Sequence, residues 1–110
     1  MISPDQRLAF VSDYDLQAVW VVDLETMDLA AGTNPIPVST SPEDMDITPD
    51  GRFLLVSNRT TLPVCVVDVA AKQQVSTLAT GSAESVAVGR DGNVLIGRAG
   101  TRRLLLTDDG

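Results

Sequence analysis

The sequence contains no histidine and a single cysteine, Cys65, in 110 residues. With no imidazole, the chain offers no Ser-His-Asp triad, no zinc cluster of the His/Cys kind and no histidine ligand for haem. One thiol closes no internal disulfide and builds no thiolate metal site, and it leaves the redox compartment open. Positive charge is also scarce: eight basic residues against fifteen acidic give a net charge of -7, which disfavours nucleic acid and anionic lipid as partners. No apolar run approaches the roughly 18 residues that span a bilayer, so membrane insertion is not expected. The opening "MISPDQRLAF" has neither the basic region nor the apolar stretch of a secretory signal. The sequence carries no G-x-S-x-G, no P-loop and no paired-cysteine motif. Aromatics make up only 4% of it, so a core must be built from small aliphatic side chains between closely spaced layers, which suits sheets packed on sheets.

What the sequence does contain is a repeat. "ISPDQRLAFVSD" at 2–13 is echoed by "ITPDGRFLLVSN" at 47–58 and, less sharply, by "VGRDGNVLIG" at 88–97. Asp5, Asp50 and Asp91 stand 45 and 41 residues apart. From Val11 to Asp23, from Val56 to Asp68 and from Ile96 to Asp108 the separation is 12 residues each time, and the third copy has lost one residue after its turn. Spacings that coincide between different residue types identify an internal repeat, where a lone "PDG" would identify only a turn. The repeat units run over 1–46, 47–87 and 88–110, the last being partial.

In the second unit "RFLLVSN", "PVCVVDVA", "QQVSTLAT" and "SVAVG" read as four strands with short connections, hence as an antiparallel meander. The runs at 19–22 and 64–67 are apolar at every position, whereas a sheet with one wet face alternates. Both faces therefore need covering, and with no helical periodicity in the chain the cover is another sheet. Four-stranded antiparallel units of about forty residues, each covered by its own copies, are the blades of a β-propeller. The expected fold is all-β, an incomplete ring of propeller blades.

The same residues resemble the YVTN repeat of lactonase-like β-propellers. Ile47, Thr48, Pro49, Asp50 and Gly51 match its entry turn, Leu55 to Asn58 its "LYV(S/T)N" strand, and Val66, Val67 and Asp68 its "(apolar)-VID" strand. The first copy departs at Gln6 and Asp13, and the third at Arg90 and through 96–98. The resemblance implies a toroid of usually seven blades, with the fourth strand innermost and the chain ends sharing one blade, and favours a periplasmic or extracellular setting. About two and a half units cannot close a ring. The expected partners are the remaining blades of one longer propeller or, less favoured, other copies of the chain.

Aspartates that recur in every unit, Asp5, Asp50 and Asp91 at the entry and Asp23, Asp68 and Asp108 at strand ends, read as acceptors for backbone N–H groups in turns. Function is sought instead where the repeat fails. Loops that should share one end of the blades carry Asp13, Tyr14, Asp15, Glu43, Asp44, Arg59, Arg98 and Arg102. Asp13, Asp15, Glu43, Asp44 and Asp46 offer oxygen ligands for Ca²⁺ but lack EF-hand spacing, and a solvated acidic loop is the favoured reading; no cofactor is expected. Arg98, Arg102 and Arg103 form the only basic cluster, a solvated edge or an anion site. Trp20 and Cys65 are expected in the packing between blades, Cys65 as a small buried hydrophobe.

Three functions share this scaffold. The first is a non-catalytic segment that presents loops to a protein or ligand. The second is part of a lactonase-like or dehydrogenase-type enzyme with its catalytic residues in other blades. The third is a surface-layer or adhesin repeat.

Overall fold

The computed structural model describes residues 1–58, 63–78, 85–97 and 104–107. They form eleven strands: β1 Leu8–Asp13, β2 Ala18–Asp23, β3 Asp28–Leu29, β4 Ile36–Pro37, β5 Met45–Ile47, β6 Phe53–Val56, β7 Val64–Asp68, β8 Gln73–Leu78, β9 Ser85–Val88, β10 Val94–Gly97 and β11 Leu104–Thr107. Every pairing is antiparallel, within three sheets. The second sheet runs β5-β6-β7-β8 and the third β9-β10-β11, while in the first both β3 and β4 pair with β2, beside β1. Residues at the N-terminus extend the first sheet beyond β1, with Ile2 bridged to Ala9 and the amides of Ser3 and Phe10 bonded to the carbonyls of Leu8 and Met1.

The sheets are out of phase with the sequence units by one strand. Ser85–Val88, expected as the fourth strand of the second unit, pairs with β10 and opens the third sheet. The reason is the entry turn: the Gly89 amide bonds the Asn93 carbonyl at 2.8 Å and the Gly92 amide bonds the Gly89 carbonyl at 3.0 Å, which ties the two strands into a tight hairpin. Thr48 to Phe53 at 2.9 Å and Ser3 to Leu8 at 2.8 Å close the same hairpin in the other copies.

Within that turn the repeated residues have repeated bonds. Ser3 Oγ donates to Asp5 Oδ1 at 2.6 Å and Thr48 Oγ1 to Asp50 Oδ1 at 2.7 Å. Each hydroxyl accepts the amide that starts the next strand, Leu8 at 3.0 Å or Phe53 at 3.1 Å, and each carboxylate accepts the amide two residues on, from Arg7, Arg52 and Asn93 in the three copies. These hydroxyl bonds hold the Asp5 and Asp50 carboxyls below the ordinary value of 3.8, with the Arg7 and Arg52 amides adding to the effect. Asp23 and Asp68 likewise accept amides of the following turn, from Glu25 and Ala71.

Packing follows the alternation of the strands. On one side of the second sheet Leu54, Val56, Cys65 and Val67 meet Phe10, Val19, Val21 and Ile36 of the first. On its other side Leu55, Val64 and Val66 meet Val86 and Val94 of the third. The second sheet is thus buried on both faces, as its unbroken apolar run requires, and each filled position of Leu, Val or Phe contributes about 1.5–3 kcal/mol of transfer free energy.

The outer edge of the first sheet is interrupted between β3 and β4, and there a side chain replaces backbone. Asn34 Oδ1 accepts the Val21 amide at 3.0 Å, and Asn34 Nδ2 donates to the carbonyls of Val21 at 2.7 Å and Ala30 at 3.0 Å. A carboxamide has the donor and acceptor of a peptide group, so it satisfies the central strand across the gap.

Candidate functional site

At one end of the first sheet, residues 14–17 join β1 to β2. Gln17 is held at a φ of 53°, and its amide closes on the Tyr14 carbonyl at 3.4 Å. Asp13 braces the turn: Oδ1 accepts the Leu16 amide at 3.0 Å and Oδ2 accepts the Trp20 indole N–H at 3.0 Å. The indole bond first, then the Leu16 amide, keeps the Asp13 carboxyl below the ordinary 3.8. Supported in this way, Tyr14 and Leu16 stand 53% and 60% exposed, with Asp15 exposed between them. The connection to the second sheet reaches the same end, where the Val38 amide bonds the Gln17 carbonyl at 3.0 Å.

The acidic stretch of that connection does a different job from the one its sequence suggested. Glu43 is exposed and its amide bonds the Ser57 carbonyl at 2.9 Å. Asp44 Oδ2 accepts the Val86 amide at 3.3 Å and Asp46 Oδ2 accepts the Val88 amide at 2.7 Å. Those amides belong to β9 at the edge of the third sheet, so two carboxylates from β5 and its approach satisfy a sheet edge that has no other ladder partner among the described residues. Asp13, Asp15, Glu43, Asp44 and Asp46 do not gather, and among the described residues no three metal-ligating side chains do. Arg59, Arg98, Arg102 and Arg103 lie outside the described residues.

Trp20 lies on an outer sheet face. It is half-buried, whereas Cys65, its counterpart in the next copy, is fully buried and lies 3.3 Å from Ser39 Oγ. Paired with Val11, Trp20 lies on the face of the first sheet turned away from the second. What would bury it is a further sheet on that side.

The opposite end of the blades holds a groove that sequence reasoning missed, with a cavity volume of about 380 Å³ between the two entry turns and the β7–β8 turn. Leu8, Val69, Pro4 and Pro49 supply its apolar lining, with Asp5, Asp50, Asp68, Arg52 and Lys72 at its margins. With their carboxyls held below 3.8, Asp5 and Asp50 are ionised acceptors at neutral pH, unsuited to act as general acids. The one available signal was the repetition of the turn itself, because neighbouring blades set their turns side by side.

No family model matches the sequence, and no curated protein matches it. Solved structures do match in fold. The chain is similar to Kuenenia stuttgartiensis hydrazine synthase, at 25% identity and a TM-score of 0.75, over 99% of this chain and 35% of that one. A functionally unknown protein from Desulfotomaculum acetoxidans DSM 771 superposes with a TM-score of 0.80 at 19% identity, over 100% of this chain and 39% of that one. The β-propeller domain of Myceliophteria thermophila Cps50 (Swd1) gives 0.70 at 15% identity, over 98% and 34%. The chain spans little more than a third of the length of each. Its three antiparallel sheets are blades of an incomplete β-propeller.

Proposed function

We propose that the chain is a non-catalytic scaffold within a propeller, whose loop end meets a protein or ligand partner. The observation that carries this reading is the braced turn at 14–17: Asp13 makes two bonds to hold up Tyr14 and Leu16, large side chains left in solvent. Amphipathic side chains on a rigid turn suit recognition, since little conformational freedom is lost on binding. Asp15, Glu43 and Asp44, and by their place in the sequence repeat Arg59, Arg98 and Arg102, are assigned to the same proposed surface. The entry-turn and "VSN" matches support YVTN-type units of the lactonase-like kind, with boundaries at 1–46, 47–87 and 88–110. The test is a photo-crosslinking residue placed at Tyr14 or Leu16, and as a control at Met27 on the opposite end, in cells expressing the whole protein. Adducts of one protein from 14 and 16 and none from 27 are expected; equal labelling at all three overturns the reading.

A second reading is favoured by the 25% identity to hydrazine synthase: the chain would form one wall of a central site in an enzyme, with catalytic residues in other blades. Footprinting with a small-molecule substrate separates the two, since protection along Met45–Ile47 rather than at Tyr14 and Leu16 supports the enzyme.

A further inference from the structure

The entry turn occurs three times with different chemistry at two of its positions. In the first copy Ser3 supplies a hydroxyl and Gln6 follows Asp5; in the second Thr48 supplies the hydroxyl and Gly51 follows Asp50; in the third Gly89 supplies none and Gly92 follows Asp91. Glycine after aspartate opens the carboxyl to attack by the next amide nitrogen, since no Cβ stands in the way and the backbone rotates freely. The hydroxyl opposes that attack. Thr48 is buried, and its Oγ1 donates to Asp50 Oδ1 at 2.7 Å while accepting the Phe53 amide at 3.1 Å, so it ties the carboxylate to a strand. Among the described residues Asp91 is bonded by Asn93 alone, whose amide reaches Oδ1 at 3.1 Å and whose carboxamide reaches Oδ2 at 2.8 Å. Both donors belong to one half-buried residue of the same turn, and they move with it. Gly51 also lies beside the first turn, where an added Cβ would meet Pro4 Cδ at 3.9 Å, whereas at Gly92 it would meet nothing within 4 Å. Pro49 and Gly92 line one cleft, so the second turn is the neighbour of Gly92 as the first is of Gly51, and it stands farther off.

We propose that Asp91-Gly92 is a site of spontaneous isoaspartate formation, and that the Thr48 hydroxyl keeps its counterpart Asp50-Gly51 silent. The Gly92 amide nitrogen, released from the Gly89 carbonyl that it bonds at 3.0 Å, forms a bond to Asp91 Cγ. The amide proton leaves with the carboxyl O–H as one water, and a succinimide ring closes. A second water then adds at either ring carbonyl. Breaking the bond from nitrogen to Cγ restores aspartate; breaking the bond from nitrogen to the backbone carbonyl carbon leaves the chain running through Cγ, with the backbone carboxylate free. One water is lost and one gained, and nothing is oxidised or reduced. The neutral acid is the reacting form, because a carboxylate is a poor electrophile. The Thr48 bond, which holds the Asp50 carboxyl below its ordinary value, therefore slows the second site in this way too. Isoaspartate adds a backbone carbon to a turn closed by the Gly92 to Gly89 and Gly89 to Asn93 bonds, so the hairpin of β9 and β10 loses its closing geometry.

The folded protein is incubated in warm, neutral buffer and mapped by peptide chromatography with mass spectrometry, which separates isoaspartate from aspartate by elution at equal mass. Each turn is read in its own peptide, as is Asp109-Gly110, which lies outside the described residues. Isoaspartate at Asp91 is expected to accumulate about tenfold or more faster than at Asp50, the factor that one hydrogen bond to a charged group commands, and none is expected at Asp5. Thr48→Val removes the hydroxyl and is expected to raise the rate at Asp50 toward that at Asp91, leaving Asp91 unchanged. Val56→Ala is the control for stability, because it weakens the core at the other end of β6 without touching the turn; Asp50 is expected to stay silent in it. Equal rates at Asp50 and Asp91 in the unsubstituted protein, or no isoaspartate at Asp91, overturn the proposal. Accumulation at Asp50 in Val56→Ala to the level seen in Thr48→Val also overturns it, since folding stability and not the hydroxyl would then govern the site.

Discussion

The first and second sheets are built from nearly the same strand sequences, yet Val56 and Cys65 are wholly buried while Val11 is half in solvent and Trp20 half-buried. Strand propensity does not explain the difference, since "AFVSD" and "LLVSN" are equally good β sequence. The difference is the neighbour. Each sheet of such a stack is stabilised by its own hydrogen bonds and by the faces laid against it, so its stability is a sum of internal and nearest-neighbour contributions. Among the described residues the second sheet has two neighbours and the first has one. Equivalent substitutions in the two should therefore have unequal costs.

The largest inequality is expected in the core positions. Val56→Ala removes two methyl groups from a site with no exposure and leaves a cavity, at a cost of about 2 kcal/mol. Val11→Ala, at the equivalent position, should change stability by no more than about 0.5 kcal/mol. Urea denaturation in dilute solution measures both, and equal costs would mean that the first sheet is covered as fully as the second.

Next in size is the hydroxyl that links strand, turn and carboxylate. Thr48 is buried, and Thr48→Val leaves the Phe53 amide and Asp50 without the Oγ1 bond, at about 1–2 kcal/mol. The third sheet has Gly89 at this place and does without the hydroxyl bond; a Cβ there would lie 3.0 Å from Asp91 Oδ1, the acceptor of the Asn93 amide, so Gly89→Ala crowds the turn carboxylate rather than removing a hydroxyl bond. The substitution also carries a pH signature. Asp50 titrates below its unfolded value of 3.8, chiefly through Thr48, so its contribution to stability is present above 3.8 and lost as pH falls through the lowered folded value. In Thr48→Val, NMR titration should find the Asp50 carboxyl moved up toward 3.8 while Asp5, bonded to Ser3, stays where it is.

These contrasts also mark what was legible in the sequence. The repeat, the all-apolar strands and the turn aspartates could be read because each is local: Asp5 and Asp50 bond within two residues of themselves. The membership of Ser85–Val88 could not be read from strand spacing alone, since four evenly spaced strands can be cut into sheets at any connection and the choice rests on which turn is tightest. Asp44 and Asp46 looked like a solvated or metal-binding loop because their partners, Val86 and Val88, are 42 residues away. The groove escaped for the same reason, its walls being turns from two copies. Trp20 was expected in the packing between blades because Cys65 stands at its place in the next copy, and it lies on a sheet face of that kind, half-buried, turned away from the second sheet.

The smallest effect isolates backbone from neighbour altogether. At the entry turn Gln6 has a φ of 61° and its counterparts Gly51 and Gly92 have 75° and 86°. The left-handed conformation costs a residue with a Cβ about 1–2 kcal/mol, part of which glycine returns through its greater freedom in the unfolded chain. Gln6→Gly should therefore stabilise the protein by about 0.5–1 kcal/mol. A Cβ at Gly51 would meet only Pro4 Cδ at 3.9 Å, so Gly51→Ala is a nearly pure backbone penalty and should destabilise by a similar amount or slightly more. Because neither change touches the face that distinguishes the two sheets, the paired thermal shifts should be opposite in sign and comparable in size. A much larger loss from Gly51→Ala than the gain from Gln6→Gly would show that the second turn, pressed between two neighbours, has less room to relax than the first.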